Sequence, residues 1–350
     1  MTSTAPLARP SAERAPESPV RRALWHYLRG SNLTALVLGS SKDPNAKITI
    51  LLVSPEDGRP QLAVKVPTTA AAERAVHAEA RLLRELGGLQ LNGLVATVPR
   101  VVDLVEFEGR AALVMTAVPG IPMTTAYLEW RHTRSAARVA ADFAAVGAWI
   151  GDFQRATAGG SADLDLDGGV AARLRGRFPE EPAIDTDLDR LAAIYERLRD
   201  NVVPRTFVHG DLWCGNLLCD RYRVTGVVDW EAGSASGEPV RDLVRFGLMY
   251  ALYLDRRTRA GRRVAGHQGL VADRWGAGVA YALNGSGWFP ELFRGFLRDG
   301  LARLGGSPES WRDAALAGIA EVAALTDDET FARRHLELFE RLCPGGEARR

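Results

Sequence analysis

Little in this sequence points to secretion, membrane insertion or a highly charged partner. Three cysteines (Cys214, Cys219 and Cys343) are too few and too unevenly placed for a disulfide framework, so a reducing cytoplasm is the expected location. No apolar run approaches the roughly 18 residues that span a bilayer, and no membrane partner is expected. Neither sign of charge dominates: 44 Lys plus Arg stand against 43 Asp plus Glu, a formal net charge of +1. That balance argues against a nucleic-acid binder. The first twenty residues are rich in Pro, Ala, Ser and Arg and lack an apolar stretch that would serve as a secretory signal. Glu13 and Glu17 do not suit an organelle presequence, so a disordered tail is expected over 1–20, with another over 345–350. Internal repeats are absent. Lysine is scarce too: Lys42, Lys47 and Lys65 are the only three, and every other cation is Arg. A lysine kept inside an apolar strand of such a chain implies a need for an ammonium group.

What is present divides the chain in two. Val20 to Arg29 has the pattern of a short helix ended by Gly30. Leu33 to Leu38 and Ile48 to Val53 are β-rich runs separated by a polar loop, Gly39 to Asn45, and the turn Pro55-Glu56-Asp57-Gly58 leads to a third strand, Gln61 to Val66. These three strands predict an antiparallel meander. Thr68 or Thr69 is placed to cap a helix over Ala70 to Leu86, with Ala75, Ala78, Leu82 and Leu86 at helical spacing. Val101 to Phe107 and Ala111 to Ala117, joined at Glu108-Gly109, complete five strands, and Pro119-Gly120 marks a lobe boundary. Beyond it come helices at Ser135 to Ala156 and Asp185 to Arg199, a strand at Arg205 to Val208, and a helical pattern from about 239 to the end. The expected fold class is α+β, with an N-terminal lobe over 21–118 and a mostly helical lobe over 119–344.

The segment His209-Gly210-Asp211-Leu212-Trp213-Cys214-Gly215-Asn216 fits H-x-D-x-x-x-x-N, and Val227-Val228-Asp229-Trp230-Glu231 follows a further apolar run. Phosphoryl transfer explains these residue types: one carboxylate orients the acceptor hydroxyl and takes its proton, while an amide oxygen and a second carboxylate hold magnesium on the phosphates. Magnesium prefers hard oxygen ligands, so Asn and Asp suit it and the nearby cysteines do not. Leu217 to Cys219 and Val224 to Val228, joined at 220–223, predict a hairpin, which returns the chain and brings Asn216 beside Asp229. A second signal is Leu62-Ala63-Val64-Lys65-Val66, an ammonium among apolar neighbours that needs a partner. Glu73 and Glu79 on the next helix are the two candidates.

Here the sequence resembles the aminoglycoside phosphotransferase and choline kinase family, relatives of the protein kinases. The resemblance implies a bilobal protein-kinase-like fold and ATP- and magnesium-dependent transfer of the γ-phosphate to a hydroxyl of a small molecule. It implies Asp211 as the base, Asn216 and Asp229 as metal ligands, and His209 as a structural residue of the same loop. It makes Lys65 the lysine of the α- and β-phosphates, and favours Glu79 as its partner because Glu79 to Leu86 is similar to the family's E-x-x-x-L-x-x-L face. Ser40 and Ser41 fall where a phosphate-covering loop belongs, but G-x-G-x-x-G is missing, and a plain hairpin loop fits the segment equally well. Met115 and Ala117 fall on the hinge strand expected to meet adenine. Asp242 resembles the family's D-L-A helix start, with a structural role implied, either bracing the catalytic loop or capping a helix, and Gln154 replaces a His that often ends the long helix.

Two departures from protein kinases point to a small-molecule acceptor. Gly210 stands where H-R-D has Arg, and no A-P-E follows Asp229; the only Ala-Pro-Glu is residues 15–17. The acceptor pocket is expected in the helical region after 239. Asp327-Asp328-Glu329 offers an acidic wall or a solvated face, and Trp275, Tyr281, Trp288, Phe289 and Phe293 offer stacking surfaces or, more in keeping with their spacing, core. The competing function is a nucleotide-binding pseudokinase acting as a scaffold, against which stand competent residues at Lys65, Asp211, Asn216 and Asp229.

Overall fold

The structure, a computed structural model, describes residues 32–40, 45–107 and 109–343. The expected N-terminal tail, the Val20 to Arg29 helix, Glu108 and the 345–350 tail lie outside the described residues. Five strands form one antiparallel sheet: β1 (Thr34–Ser40), β2 (Lys47–Val53), β3 (Pro60–Pro67), β4 (Val101–Phe107) and β5 (Arg110–Thr116), in the order β1-β2-β3-β5-β4. Alternation along the strands sorts their side chains. Ile50, Leu52, Val64, Val66, Ala112 and Val114 form a small core on one face. Lys65, Leu113 and Met115 point to the other, where helix α1 (Ala70–Gly87) packs.

Of the two threonines expected as caps, Thr69 accepts from the Ala72 amide at 3.0 Å. The buried face of α1 is Ala72, Val76, Glu79, Ala80, Leu82, Leu83 and Leu86, so Ala75 and Ala78, expected inside, stay half-buried. The reason is electrostatic: Glu79 must turn inward to meet Lys65, and the apolar stripe rotates with it.

The second half begins with β6 (Ile121–Pro122), α2 (Met123–Tyr127) and the long α3 (Ala136–Thr157). Then follow β7 (Ser161–Asp163), α4 (Val170–Arg177), α5 (Ile184–Arg199), β8 (Val202–Pro204), β9 (Thr206–Val208), and the hairpin β10 (Leu217–Asp220) and β11 (Arg223–Val227). β12 (Ser234–Gly237) pairs with β9, and helices α6 (Val240–Leu252), α7 (Ala277–Asn284), α8 (Trp288–Arg303), α9 (Trp311–Leu325) and α10 (Glu329–Leu342) close the fold. The expectation of helix from 239 onward fails between α6 and α7. Residues 253–276 hold one isolated bridge, Arg263 to Val271, and positive-φ glycines at 261, 266, 269 and 276 break any helix there.

Phe143 of α3 meets Phe246 and Tyr250 of α6 edge-on at 5.2 and 4.9 Å, at the centre of the helical half. Tyr281, Phe289 and Phe293 are buried in the same core, with Trp275 and Trp288 packed against it. None of these five lines the cleft described below, so they are core and not a stacking surface. No helix among the described residues is long and apolar enough to cross a membrane.

Candidate active site

A cavity of about 1720 Å³ runs between the five-stranded sheet and the helical half. Its sheet wall includes Thr49, Ala63, Lys65 and Met115, and its opposite wall includes Asp211, Asn216, Asp229 and Arg245.

Lys65 sits at the middle of the sheet, its strand flanked on both sides through Thr49 and Leu113. Its Nζ lies 2.7 and 2.6 Å from the two Glu79 oxygens and 2.5 Å from Asp229 Oδ1. Lys65 is 4 % exposed and Glu79 is fully buried. Burial pushes the lysine pKa down, but the charges of Asp229 and Glu79 outweigh it and hold it above the ordinary range. Burial pushes Glu79 upward against the pull of Lys65. Glu79 Oε1 also accepts from the Trp230 amide at 3.1 Å, so one carboxylate ties β3, α1 and the turn after Asp229 together. Glu73, the other candidate, accepts instead from the Ala111 amide at 3.0 Å.

The loop after β9 is fixed by Asp242, whose two oxygens accept from the amides of His209 (2.7 Å) and Gly210 (2.9 Å). Burial pushes the Asp242 pKa up, and His209 and the two amides pull it back. His209 Nε2 donates to Val228 O at 2.8 Å and its Nδ1 accepts from the Asp211 amide at 3.2 Å, which fixes the tautomer. The ring packs against buried Trp230, tilted at 55° with centroids 4.8 Å apart. Gly210 has φ +79°, and a Cβ there would lie 2.2 Å from Ala232 O, so no side chain fits where H-R-D has arginine.

The hairpin brings the candidate metal ligands side by side. Leu217 pairs with Val227, and the Val228 amide donates to Asn216 O at 3.0 Å, which sets Asn216 next to Asp229. Asn216 Nδ2 donates to Asp211 O (2.9 Å) and Oδ2 (3.2 Å), leaving its Oδ1 unspent. Asp229 has φ +65°, a left-handed backbone that costs a non-glycine residue about 1 kcal/mol or more and gathers at functional sites. Its carboxyl is held below the ordinary range by Lys65, against burial, with Lys47 and His209 adding to the pull. Asn216 Oδ1 and the free Asp229 oxygen are hard donors on a polar wall, a set that fits magnesium, which keeps several waters and takes few protein ligands.

At the far end Met115 and Ala117 line the cavity, and the Ala117 amide donates to Gln61 O at 2.9 Å. That contact spends the Ala117 amide within the sheet. Ser41 lies outside the described residues, and of Ser40 only the backbone, at the end of β1, falls within them. Asp327 and Asp328 line the cleft, whereas Glu329 pairs with Arg177. Gln154 donates to Pro239 O at 2.9 Å, tying α3 to the start of α6.

Two residues that sequence reasoning did not single out stand in the cleft. Arg245 of α6 donates from Nε (2.9 Å) and Nη2 (2.6 Å) to Asp211 Oδ1. Its only signal in the sequence is its place three residues after Asp242, on the same helix face. Lys47, at the start of β2, reaches across to Glu231.

A five-stranded antiparallel sheet with one helix over a helical half, with a lysine–carboxylate pair at the cleft between, is the architecture of a kinase-type phosphotransferase. The model of APH, the phosphotransferase enzyme family, matches residues 49–277, well over half of the chain, and the chain belongs to that family. Similar solved structures include aminoglycoside phosphotransferase APH(4)-Ia, at 15% identity and TM-score 0.57 over 93% of this chain and 99% of that one. A thermostable mutant of it in ternary complex with AMP-PNP and hygromycin B gives 14%, 0.55 and the same coverage. ADP-bound aminoglycoside phosphotransferase APH(2'')-Ib gives 15% and 0.50, over 91% of this chain and 96% of that one. At these identities the likeness is one of fold. No curated protein sequence matches the chain.

Proposed function

We propose that this protein transfers the γ-phosphate of ATP to a hydroxyl of a small molecule such as a sugar, amino alcohol or natural product. The observation that carries this reading is the gathering of Lys65, Asp211, Asn216 and Asp229, drawn from two halves of the chain, on the walls of one cavity. Lys65, held in place by Glu79, neutralises the inner phosphates. Asn216 and Asp229 would hold magnesium, which screens charge on the phosphoryl group. Asp211 orients the acceptor hydroxyl with Oδ2, which accepts only from Asn216 while Oδ1 takes both Arg245 N–H groups, and receives its proton as the new oxygen–phosphorus bond forms and the bond to the ADP leaving group breaks. Adenine lies along Met115 and Ala117. The acceptor enters beside Asp211 against α6 and α9, where Val244 and Val322 supply apolar wall and Asp327 and Asp328 lie at the rim.

The charged groups there are largely paired among themselves, Arg205 with Glu238 and Arg241 with Glu321. That pairing supports no single strongly charged acceptor class. The test is a metabolite panel with γ-labelled ATP and magnesium, run with wild type and Asp211→Ala. Transfer by wild type, with turnover in the variant down by orders of magnitude and nucleotide binding kept, supports the reading. Nucleotide binding without transfer to any acceptor would favour the scaffold role.

A further inference from the structure

The strand that carries Lys47 runs the length of the cleft. Lys47, Thr49 and Leu51 alternate onto the cavity, while Ile50 and Leu52 turn into the small core on the other face. Leu51 lies level with Ala63, and Ala63 with Met115, on the wall where adenine is read. Thr49 lies level with Lys65. Each such step is two residues, about 7 Å of strand, so Lys47 stands about 13 Å from the Leu51 level. A nucleotide laid from the Ala63–Met115 wall and held at its inner phosphates by Lys65 therefore brings its last phosphate toward Lys47.

The chemistry of the two lysines differs. Lys65 is saturated by three carboxylate oxygens and is 4 % exposed. Lys47 meets one carboxylate, that of Glu231, and both side chains open on the cavity, 12 and 25 % exposed. Glu231 stands two residues after Asp229, so the Lys47 ammonium already reaches an anion on the wall that holds the candidate metal ligands. A terminal phosphate group brought to the same place carries more charge than a carboxylate and competes for the same donor.

Composition supports the point. The chain has 44 Lys plus Arg, only three of them lysine, and two of the three, Lys47 and Lys65, line the cleft. An ammonium is a compact charge on a flexible stem that moves from one oxygen to another, where a guanidinium fork prefers one planar partner. The loop before β2 also lacks the G-x-G-x-x-G pattern whose amides cover phosphates in kinases. A side-chain cation at its exit supplies what that pattern would have supplied.

We propose that Lys47 is a second phosphate clamp, whose ammonium exchanges Glu231 for the terminal phosphate of a bound nucleoside triphosphate. This rests on the phosphotransferase reading above. The competing role is a tie between the two halves of the molecule, and a part-exposed ion pair of that kind does not tell a diphosphate from a triphosphate.

The experiment is calorimetric binding of ADP and of AMP-PNP, each with magnesium, to wild type, Lys47→Ala, Lys47→Met and Lys47→Arg. Thermal unfolding checks that each variant is folded, and Lys47→Met keeps most of the stem if the alanine variant is not. Loss of the clamp weakens AMP-PNP binding by about tenfold to a hundredfold, leaves ADP within about twofold, and is partly restored in Lys47→Arg. Equal losses for both nucleotides, or no loss for either, overturn the proposal while leaving the phosphotransferase reading in place. Wild type that binds neither nucleotide overturns both.

Discussion

Arg245 offers the sharpest test of how the 209–216 loop works. Its guanidinium places two N–H groups on Asp211 Oδ1, at 2.9 and 2.6 Å, and the pair is part-buried, 22 and 34 % exposed. Two charge-assisted contacts of this kind, discounted for solvent, are worth about 2 kcal/mol. If their effect falls on the reacting geometry, removing them costs about 30-fold in kcat. Phosphoryl transfer with a loose transition state asks more for an oriented hydroxyl than for a strong base, so a carboxylate locked beside a cation serves it. Arg245→Ala should therefore lower kcat by about 10- to 100-fold and leave nucleotide KM unchanged, because the fork touches Asp211 alone among the cleft carboxylates. Arg245→Lys keeps the charge, loses the fork and should fall between. The measurement is steady-state transfer to whichever acceptor the panel identifies, beside urea unfolding of each variant. Wild-type kcat in Arg245→Ala would refute the reasoning, and so would a loss that appears in nucleotide affinity.

Glu79→Ala removes one partner of a buried pair and leaves Lys65 with Asp229 alone; the expected loss is about 3–5 kcal/mol of stability, read from the urea midpoint, and a loss below about 1 kcal/mol would mean that the pair behaves as a surface contact. Gly210→Ala adds a Cβ 2.2 Å from Ala232 O at φ +79°; the left-handed backbone alone costs about 1–2 kcal/mol, and turnover should fall further than stability, since the residue adjoins Asp211, with unchanged turnover as the contrary result. Burial, then Asp187 and the nearby Glu181 and Glu337, raise Glu340 from 4.5 to about 7. A carboxyl with a raised folded pKa binds more protons folded than unfolded, so its contribution is full below about 4.5 and is lost as pH rises through about 7. Glu340→Gln should flatten the stability profile over that window, and an unchanged slope would sink the assignment.

The parts of this molecule that could be read from the sequence are those whose partners lie close along the chain. The hairpin from Leu217 to Val227 is one: a short turn between two apolar runs must return the strand, so Asn216 and Asp229 were expected together and lie together. The five strands were legible for the same reason, since alternation and turn residues act within a few positions, and each strand lies within two residues of its expected bounds. Glu79 was harder, because Glu73 sits on the same helix and only packing separates a carboxylate that meets Lys65 from one that meets the Ala111 amide. Helical periodicity placed Leu82 and Leu86 of α1 inside but also Ala75 and Ala78, which are half-buried, because it weighs apolar residues and carries no information on a glutamate drawn inward by a charge from another strand. Arg245 lies 34 residues from Asp211, and Lys47 lies 184 from Glu231. No local pattern fixes contacts at that range, and arginine is so common here that one more carries no signal. Lysine is rare, and rarity combined with apolar neighbours marks Lys65, whereas Lys47 follows a polar loop and has no such local mark. A scarce cation placed on the inward side of a strand is chemical information whatever stands before it, since an ammonium facing a cleft must meet either a carboxylate or a ligand.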